Sequence, residues 1–183
     1  MLAPGGLALV QEFVNSVDLE SRDDDLENAT SAQAWLGRHE VALRSPLDEE
    51  SRRRLVDVRE RLRDLLEAHS SEAVDPSVAS SLEHLLGGAV LRPVVSSSGV
   101  ALAPADAGVD GFLATLVQAI VEAGVVGTWE RLKVCRDDVC REAFYDHSKN
   151  GRGAWCSMRV CGNRAKARAY RARRISAATP AAG

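Results

Sequence analysis

The last third of the chain holds all four of its cysteines, Cys135, Cys140, Cys156 and Cys161, spaced as C-x4-C, fifteen intervening residues and C-x4-C. Zinc prefers four ligands in a tetrahedron and binds thiolates at about 2.3 Å. Two close pairs joined by a hairpin-length insert bring four sulfurs to one ion without a long loop-closure cost. The opening "MLAPGGLALVQEF" has neither the basic start nor the long apolar stretch of a signal peptide, and no run reaches the ~18 apolar residues of a spanning helix. The expected location is therefore the cytoplasm, with no membrane partner, where thiols stay reduced and paired cysteines are read first as metal ligands. The leading reading is one structural Zn2+ held by Cys135, Cys140, Cys156 and Cys161, a closed shell without a position for a catalytic water. The spacing is wider than the usual C-x2-C, so two disulfides, an iron site and a redox-active cysteine pair stand as rivals, and His147 is an alternative fourth ligand.

Charge divides the chain. Residues 1–128 carry 10 Lys/Arg against 21 Asp/Glu, net −11, whereas residues 129–183 carry 13 against 5, net +8. The expected organisation is an acidic domain over 1–128, a metal module over 129–176 and a flexible tail over 177–183, with the basic piece facing a polyanion. Between the cysteine pairs, "AFYDHSKNGRGAWC" predicts two short strands around the Asn150-Gly151 turn. Beyond Cys161, "GNRAKARAYRARRIS" predicts a helix with a narrow face of Ala165, Ala169 and Ala172. Arg164, Lys166, Arg168, Arg171, Arg173 and Arg174 occupy the rest of its circumference. They are the candidate DNA contacts, with Lys166, Arg168 and Arg171 the foremost; a merely solvated basic face is the plainer alternative. Gly162 would permit a close backbone approach, Asn163 would cap the helix, and Arg164 would bind either phosphate or carbonyls of its own module.

The acidic piece reads as mainly helical. Apolar spacing places helices over Leu7 to Leu19, over Ser31 to His39 with Ala34, Trp35 and His39 inward, and from a Ser45 cap with Pro46 to about Ala68 along Leu55, Val58, Leu62, Leu65 and Leu66. Asp75-Pro76 starts another helix that Gly87-Gly88 should stop. "AVLRPVV" and "VALAPA" read as a hairpin, a long apolar helix follows from about Gly111 to Ala123, and "WERLKV" reads as a short helix capped by Thr128. His39, His69 and His84 read as solvated. The fold class is thus mainly α (α+β): a helical domain with a small β-hairpin, then a four-cysteine module ending in a basic helix. Phe13, Asn15 and Asp18 are candidates for a ligand pocket, against the alternative that Asn15 pins a helix in an ordinary core. No nucleotide-binding glycine motif, His-Glu-x-x-His or nucleophile elbow is present in the sequence, which points away from an enzyme.

"WERLKVC", "FYDHSKNGRGAWCSM" and "CGNRAKARAYRAR" resemble the CGNR-type zinc-finger proteins, named for the motif standing here as Cys161-Gly162-Asn163-Arg164, and the similarity covers about residues 129 to 174. The preceding region, with "FVNSVD" and its helix-hairpin-helix order, is similar to the ABATE domain. The resemblance implies a bacterial, cytoplasmic, stress-responsive transcription regulator whose treble-clef-like zinc module binds double-stranded DNA. The acidic domain would then sense a small-molecule effector, mediate homodimerisation, or both. An RNA- or protein-binding zinc module with a structural role is the second reading.

Overall fold

The computed structural model describes residues 2–70, 75–97 and 99–178. Among them the chain is mainly α, in the order α1 (Leu7–Val14), α2 (Ala29–Arg38), α3 (Glu49–Ala68), α4 (Pro76–Leu85), β1 (Leu91–Ser96), β2 (Gly99–Pro104), α5 (Gly108–Val125), β3 (Leu132–Val134), β4 (Ala143–Tyr145) and α6 (Asn163–Ala178). α6 reaches two residues into the expected tail, whose remainder, 179–183, lies outside the described residues, as does Ser98 of the hairpin turn.

Local chemistry accounts for most boundaries. The Asn28 side chain accepts the Ser31 N–H and the Ser31 hydroxyl accepts the Asn28 N–H, so α2 begins in a reciprocal capping box. Asp75 caps α4 with Pro76 behind it, as expected. α3 starts later than Ser45-Pro46 predicts: Asp48 is the cap, its carboxylate accepting the Ser51 N–H at 2.7 Å. Leu47 explains the delay, since its side chain is buried in the core and its N–H is held by Gln33 Oε1, which keeps the lead-in extended. α1 ends at Val14 and not near Leu19, because the chain turns into a loop whose Val17 and Asp24 form an isolated bridge.

The centre of the core is an aromatic triad. Phe13 from α1 meets Phe112 from α5 edge-on at 5.2 Å and Trp35 from α2 at 5.7 Å, and Trp35 and Phe112 are themselves 5.7 Å apart. Each such pair contributes roughly 0.5–1.5 kcal/mol beyond burial. Trp35 and Leu36 are the buried large side chains of α2; Ala34, expected inward, is exposed. α5 is apolar and long enough to pass for a membrane span by composition, yet Phe112, Leu113, Leu116, Ala119 and Ala123 are buried against the other helices. The β1–β2 hairpin pairs in the register Leu91↔Pro104 to Ser96↔Gly99 and rests on α5.

β3 and β4 continue this core. Leu132, Val134 and Ala143 are buried in the same cluster as Phe13 and Leu62. Trp129–Arg131 forms only a 3-10 turn and Leu132–Val134 is a strand, so the helix predicted for "WERLKV" is replaced by pairing of β3 with β4, Leu132↔Tyr145 to Val134↔Ala143. The strand wins because both ends of the pairing are buried against α1 and α3. The two strands predicted around Asn150-Gly151 are likewise revised. Only 143–145 is a strand, and it pairs backwards across the first cysteine loop; Gly151 does turn, with φ +61°, and Ala154 accepts the Arg136 N–H.

Two arginines predicted on no buried face join α3 to its neighbours. Arg63, 1% exposed, donates to the Val14 carbonyl at the end of α1 and to the Arg141 carbonyl beside Cys140. Arg59 grips both Asp24 oxygens at 2.6 and 2.9 Å and reaches the Ser16 hydroxyl. Burying a guanidinium is tolerable only with its donors satisfied, and these are.

Candidate metal centre

The first cysteine pair lies in the connection between β3 and β4. Cys135 follows β3 directly and its N–H donates to the Glu142 carbonyl; Cys140 N–H closes a turn on the Asp137 carbonyl at 2.8 Å. Of the second pair, Cys156 precedes a single π turn, Met158–Gly162, and Cys161 sits within it, directly before α6. A cysteine pair inside a hairpin, then a second pair whose last ligand leads directly into a helix, is the treble-clef-like order that the resemblance implied. Gly162 is buried where a Cβ would fall 2.5 Å from Met158 Sδ and 3.3 Å from Trp155 Cδ1, the close approach expected of it. Asn163 does not cap through its oxygen: its Nδ2 donates to the Arg159 carbonyl, and the Ser157 hydroxyl takes the Val160 N–H at the start of the π turn.

All four sulfurs lie within 4.8 Å of one another, with Cys140–Cys156 at 3.6 Å and Cys156–Cys161 at 3.7 Å, and none is disulfide-bonded. A tetrahedron with metal–sulfur bonds of about 2.3 Å has sulfur–sulfur edges of about 3.8 Å, so the cluster has the size of a four-thiolate zinc shell. His147 is exposed and stacks edge-on with Tyr145 at 4.8 Å, outside that cluster. The thiols also need a cation. Burial pushes Cys140 up to about 12 and drives Cys156 higher still, aided by Glu142 and Cys140. Burial also works to raise Cys161, but the hydrogen bond from Arg164, at 3.3 Å from its sulfur, and those of the neighbouring cysteines bring it below the usual thiol value. Zinc bound here supplies the charge that makes all four thiolates and ties the knuckle to the start of α6. The chain holds one structural zinc in this site.

Around the centre the predicted residues divide. Arg164 is engaged on three sides: its Nη atoms fork onto Glu20 at 2.7 and 3.1 Å, its Nε pairs with Asp137 at 2.7 Å, and it donates to Cys161 Sγ. Arg168 donates to the other Asp137 oxygen at 3.0 Å. Lys166, Arg171, Arg173 and Arg174 are exposed, with the Arg174 guanidinium 6.0 Å from the Tyr170 ring centre. Phe13 is in the core triad, fully buried. Asn15 and Asp18 line a cleft of about 230 Å³ with Val17, Glu20, Cys140 and Glu142, and Phe13 is not part of its lining. Asn15 spends its amide on β4: its Oδ1 accepts the Ala143 N–H at 2.7 Å and its Nδ2 donates to the Ala143 carbonyl at 2.8 Å. Asp18 shapes the loop that presents Glu20, accepting the N–H groups of Glu20 and Ser21, which hold its carboxyl below the usual range.

Three residues that matter here escaped the sequence. Asp137 is an acid inside C-x4-C, and its place in a basic module is its one local signal. His69, read as solvated, is partly buried. Its Nδ1 is 2.7 Å from the Leu132 carbonyl, its ring meets Trp129 edge-on, and burial lowers its pKa. Lys133 is buried with Asp146 at 3.0 Å and with the Gly151 carbonyl. Burial alone would raise Asp146, but Ser148, Lys133 and the Gly153 N–H hold it well below the carboxylate range.

Residues 131–174 match the family model of the CGNR zinc finger, and residues 7–126 match ABATE, "Putative stress-induced transcription regulator". A search of curated proteins finds no match. The four-sulfur shell, the glycine packed beneath Met158 and the arginine on Cys161 are the CGNR motif in three dimensions, and because the other match spans more than half of the sequence, the chain belongs to the ABATE family and carries a CGNR zinc finger as its metal module.

Proposed function

We propose that the protein binds double-stranded DNA through α6 and regulates transcription without catalysing a reaction. The observation that carries this reading is the exposure of every described residue from Lys166 to Arg174 on a helix whose first turn is fixed at the zinc shell. A rigidly mounted cationic helix suits a nucleic-acid groove, where phosphates supply affinity and one or two arginines read bases. The contacts are Lys166, Arg171, Arg173 and Arg174; Arg164 and Arg168, both paired with Asp137, serve the mount. The family description as a transcription regulator supports the same reading.

A single helix buries little surface, so specific recognition calls for two copies on two half-sites. The acidic part, its helices welded to the zinc module, is the natural seat for that pairing or for an effector.

Selection of genomic fragments with the zinc-loaded protein, followed by Lys166→Ala with Arg173→Ala on the enriched duplex, tests the proposal. The double variant is expected to keep its zinc, bind more weakly, and reduce the salt slope of log K by about two. No enriched sequence, or an unchanged slope, would overturn it; preference for single strands would favour an RNA reader that stacks bases on Tyr170.

A further inference from the structure

α6 leaves the metal centre with little to lean on. Its residues are exposed from Lys166 to Arg174, so its direction is set in the first two turns. The zinc ligand Cys161 and the buried Gly162 fix where it starts. From another segment, the loop between Cys135 and Cys140, the Asp137 side chain meets both of those turns. The Asp137 side chain is 0% exposed. One of its oxygens faces Arg164 Nε at 2.7 Å, and the other accepts from Arg168 Nη1 at 3.0 Å. The loop itself is held at that point: the Asp137 carbonyl accepts the Cys140 and Arg141 N–H groups at 2.8 and 3.0 Å.

Arg164 and Arg168 are four residues apart, hence neighbours on successive turns of one helix face. A line of attachment about one turn long, with both ends on one buried carboxylate, fixes both the tilt and the rotation of a helix, which a single ligand at its first turn does not. At about 100° per residue, Lys166 and Arg173 fall roughly opposite that attached face. Arg164 is thus a shared strut: it reaches the zinc ligand Cys161, the knuckle acid Asp137 and, through Glu20, the loop after α1.

We infer that Asp137 is the positioning residue of the basic helix, drawing Arg164 and Arg168 inward so that Lys166 and Arg173 face the duplex. This rests on the DNA-binding reading of α6 for its consequence, but the positioning itself can be measured without DNA. Asp137→Asn keeps the shape and removes one negative charge beside a cationic helix. If Asp137 only tempered the local potential, the variant would bind duplex more tightly, since phosphate attraction would rise. Positioning gives the opposite result: duplex affinity falls about tenfold, one zinc per chain is retained, and amide hydrogen exchange over 163–170 speeds up. Lys166→Ala, costly in the wild type, then costs less in the Asp137→Asn background because the lysine no longer faces its phosphate. Should Asp137→Asn lose zinc, Arg168→Gln removes only the outer attachment and is expected to quicken exchange in the same segment.

Unchanged exchange in the zinc-retaining variant, or tighter duplex binding by Asp137→Asn, overturns the assignment. A wild-type protein that binds no duplex defeats the DNA reading alone; the exchange comparison still decides for or against the positioning role.

Discussion

Asn15 does with a side chain what a neighbouring strand does with its backbone. Its amide donates to and accepts from the same residue, Ala143, at 2.8 and 2.7 Å, and Gln11 adds a second donor to the Ala143 carbonyl. Ala143 is 0% exposed, so the loss of Asn15 strands a buried N–H. An unmade buried hydrogen bond costs about 1–3 kcal/mol. Asn15→Ala is therefore expected to lower stability by that amount in urea titrations followed by circular dichroism, and a change below ~0.5 kcal/mol would show that water replaces it. The sequence offers Asn15 as a pocket residue or as a pin within an ordinary core, and the structure shows it pinning β4. Its partner was not legible there, because Ala143 is 128 residues away.

Among the elements, the zinc knuckle and α6 are joined by metal ligands, whereas β3 and β4 are joined to the helices by apolar burial. Leu132, Val134 and Ala143 face the common core. Cys156 and Cys161 lie beyond β4, and α6 contributes no described side chain to that core. Cys140→Ser, which removes one of four thiolates, is expected to release zinc and loosen residues 156–178 while α1–α5 and the β3–β4 pair persist. A chelator dye counts the zinc and amide exchange locates the loss; exchange that rises equally in α1 and α5 would contradict this division. Element types followed from periodicity and caps, and the exceptions share one cause. "WERLKV" and the insert after Cys140 become what they are through β3–β4 pairing, which local propensity does not contain. Asp48 displaces Ser45 as a cap because Leu47 is drawn into the core.

At the scale of the molecule, the acidic part and the zinc module meet through more than apolar packing. Gln11, Asn15, Arg63 and His69 each have a hydrogen-bonding partner at or after residue 132, and Arg136 donates to the Ser70 carbonyl. Arg141 pairs with Glu67 at 2.8 Å, and Arg164 with Glu20. A fragment ending at Thr128 would expose the surfaces that cover Leu132, Val134 and Ala143 and deprive Arg63 of one of its carbonyl acceptors. We expect that fragment to be insoluble or to unfold several degrees lower, the loss of about 2–5 kcal/mol being typical of emptied core sites. A soluble fragment with the melting temperature of the full chain would show that the acidic part folds independently.

By itself the sequence determined the chemistry and the local order: four cysteines at a spacing that encloses one zinc, a helix of basic residues behind them, and a mainly helical acidic part whose apolar stripes face inward. These are properties of residue type and short-range spacing, which the sequence contains in full. The tertiary structure alone decided which charges are used and which remain free. Seven Lys/Arg from Arg159 to Arg174 are equivalent as a composition, yet Arg164 and Arg168 are taken by one buried carboxylate, and Arg159, Lys166, Arg171, Arg173 and Arg174 are exposed without an ion pair among the described residues. The reason is distance: an ion pair acts over a few ångströms, and only the folded knuckle carries Asp137 that close to residues 27 and 31 positions along the chain.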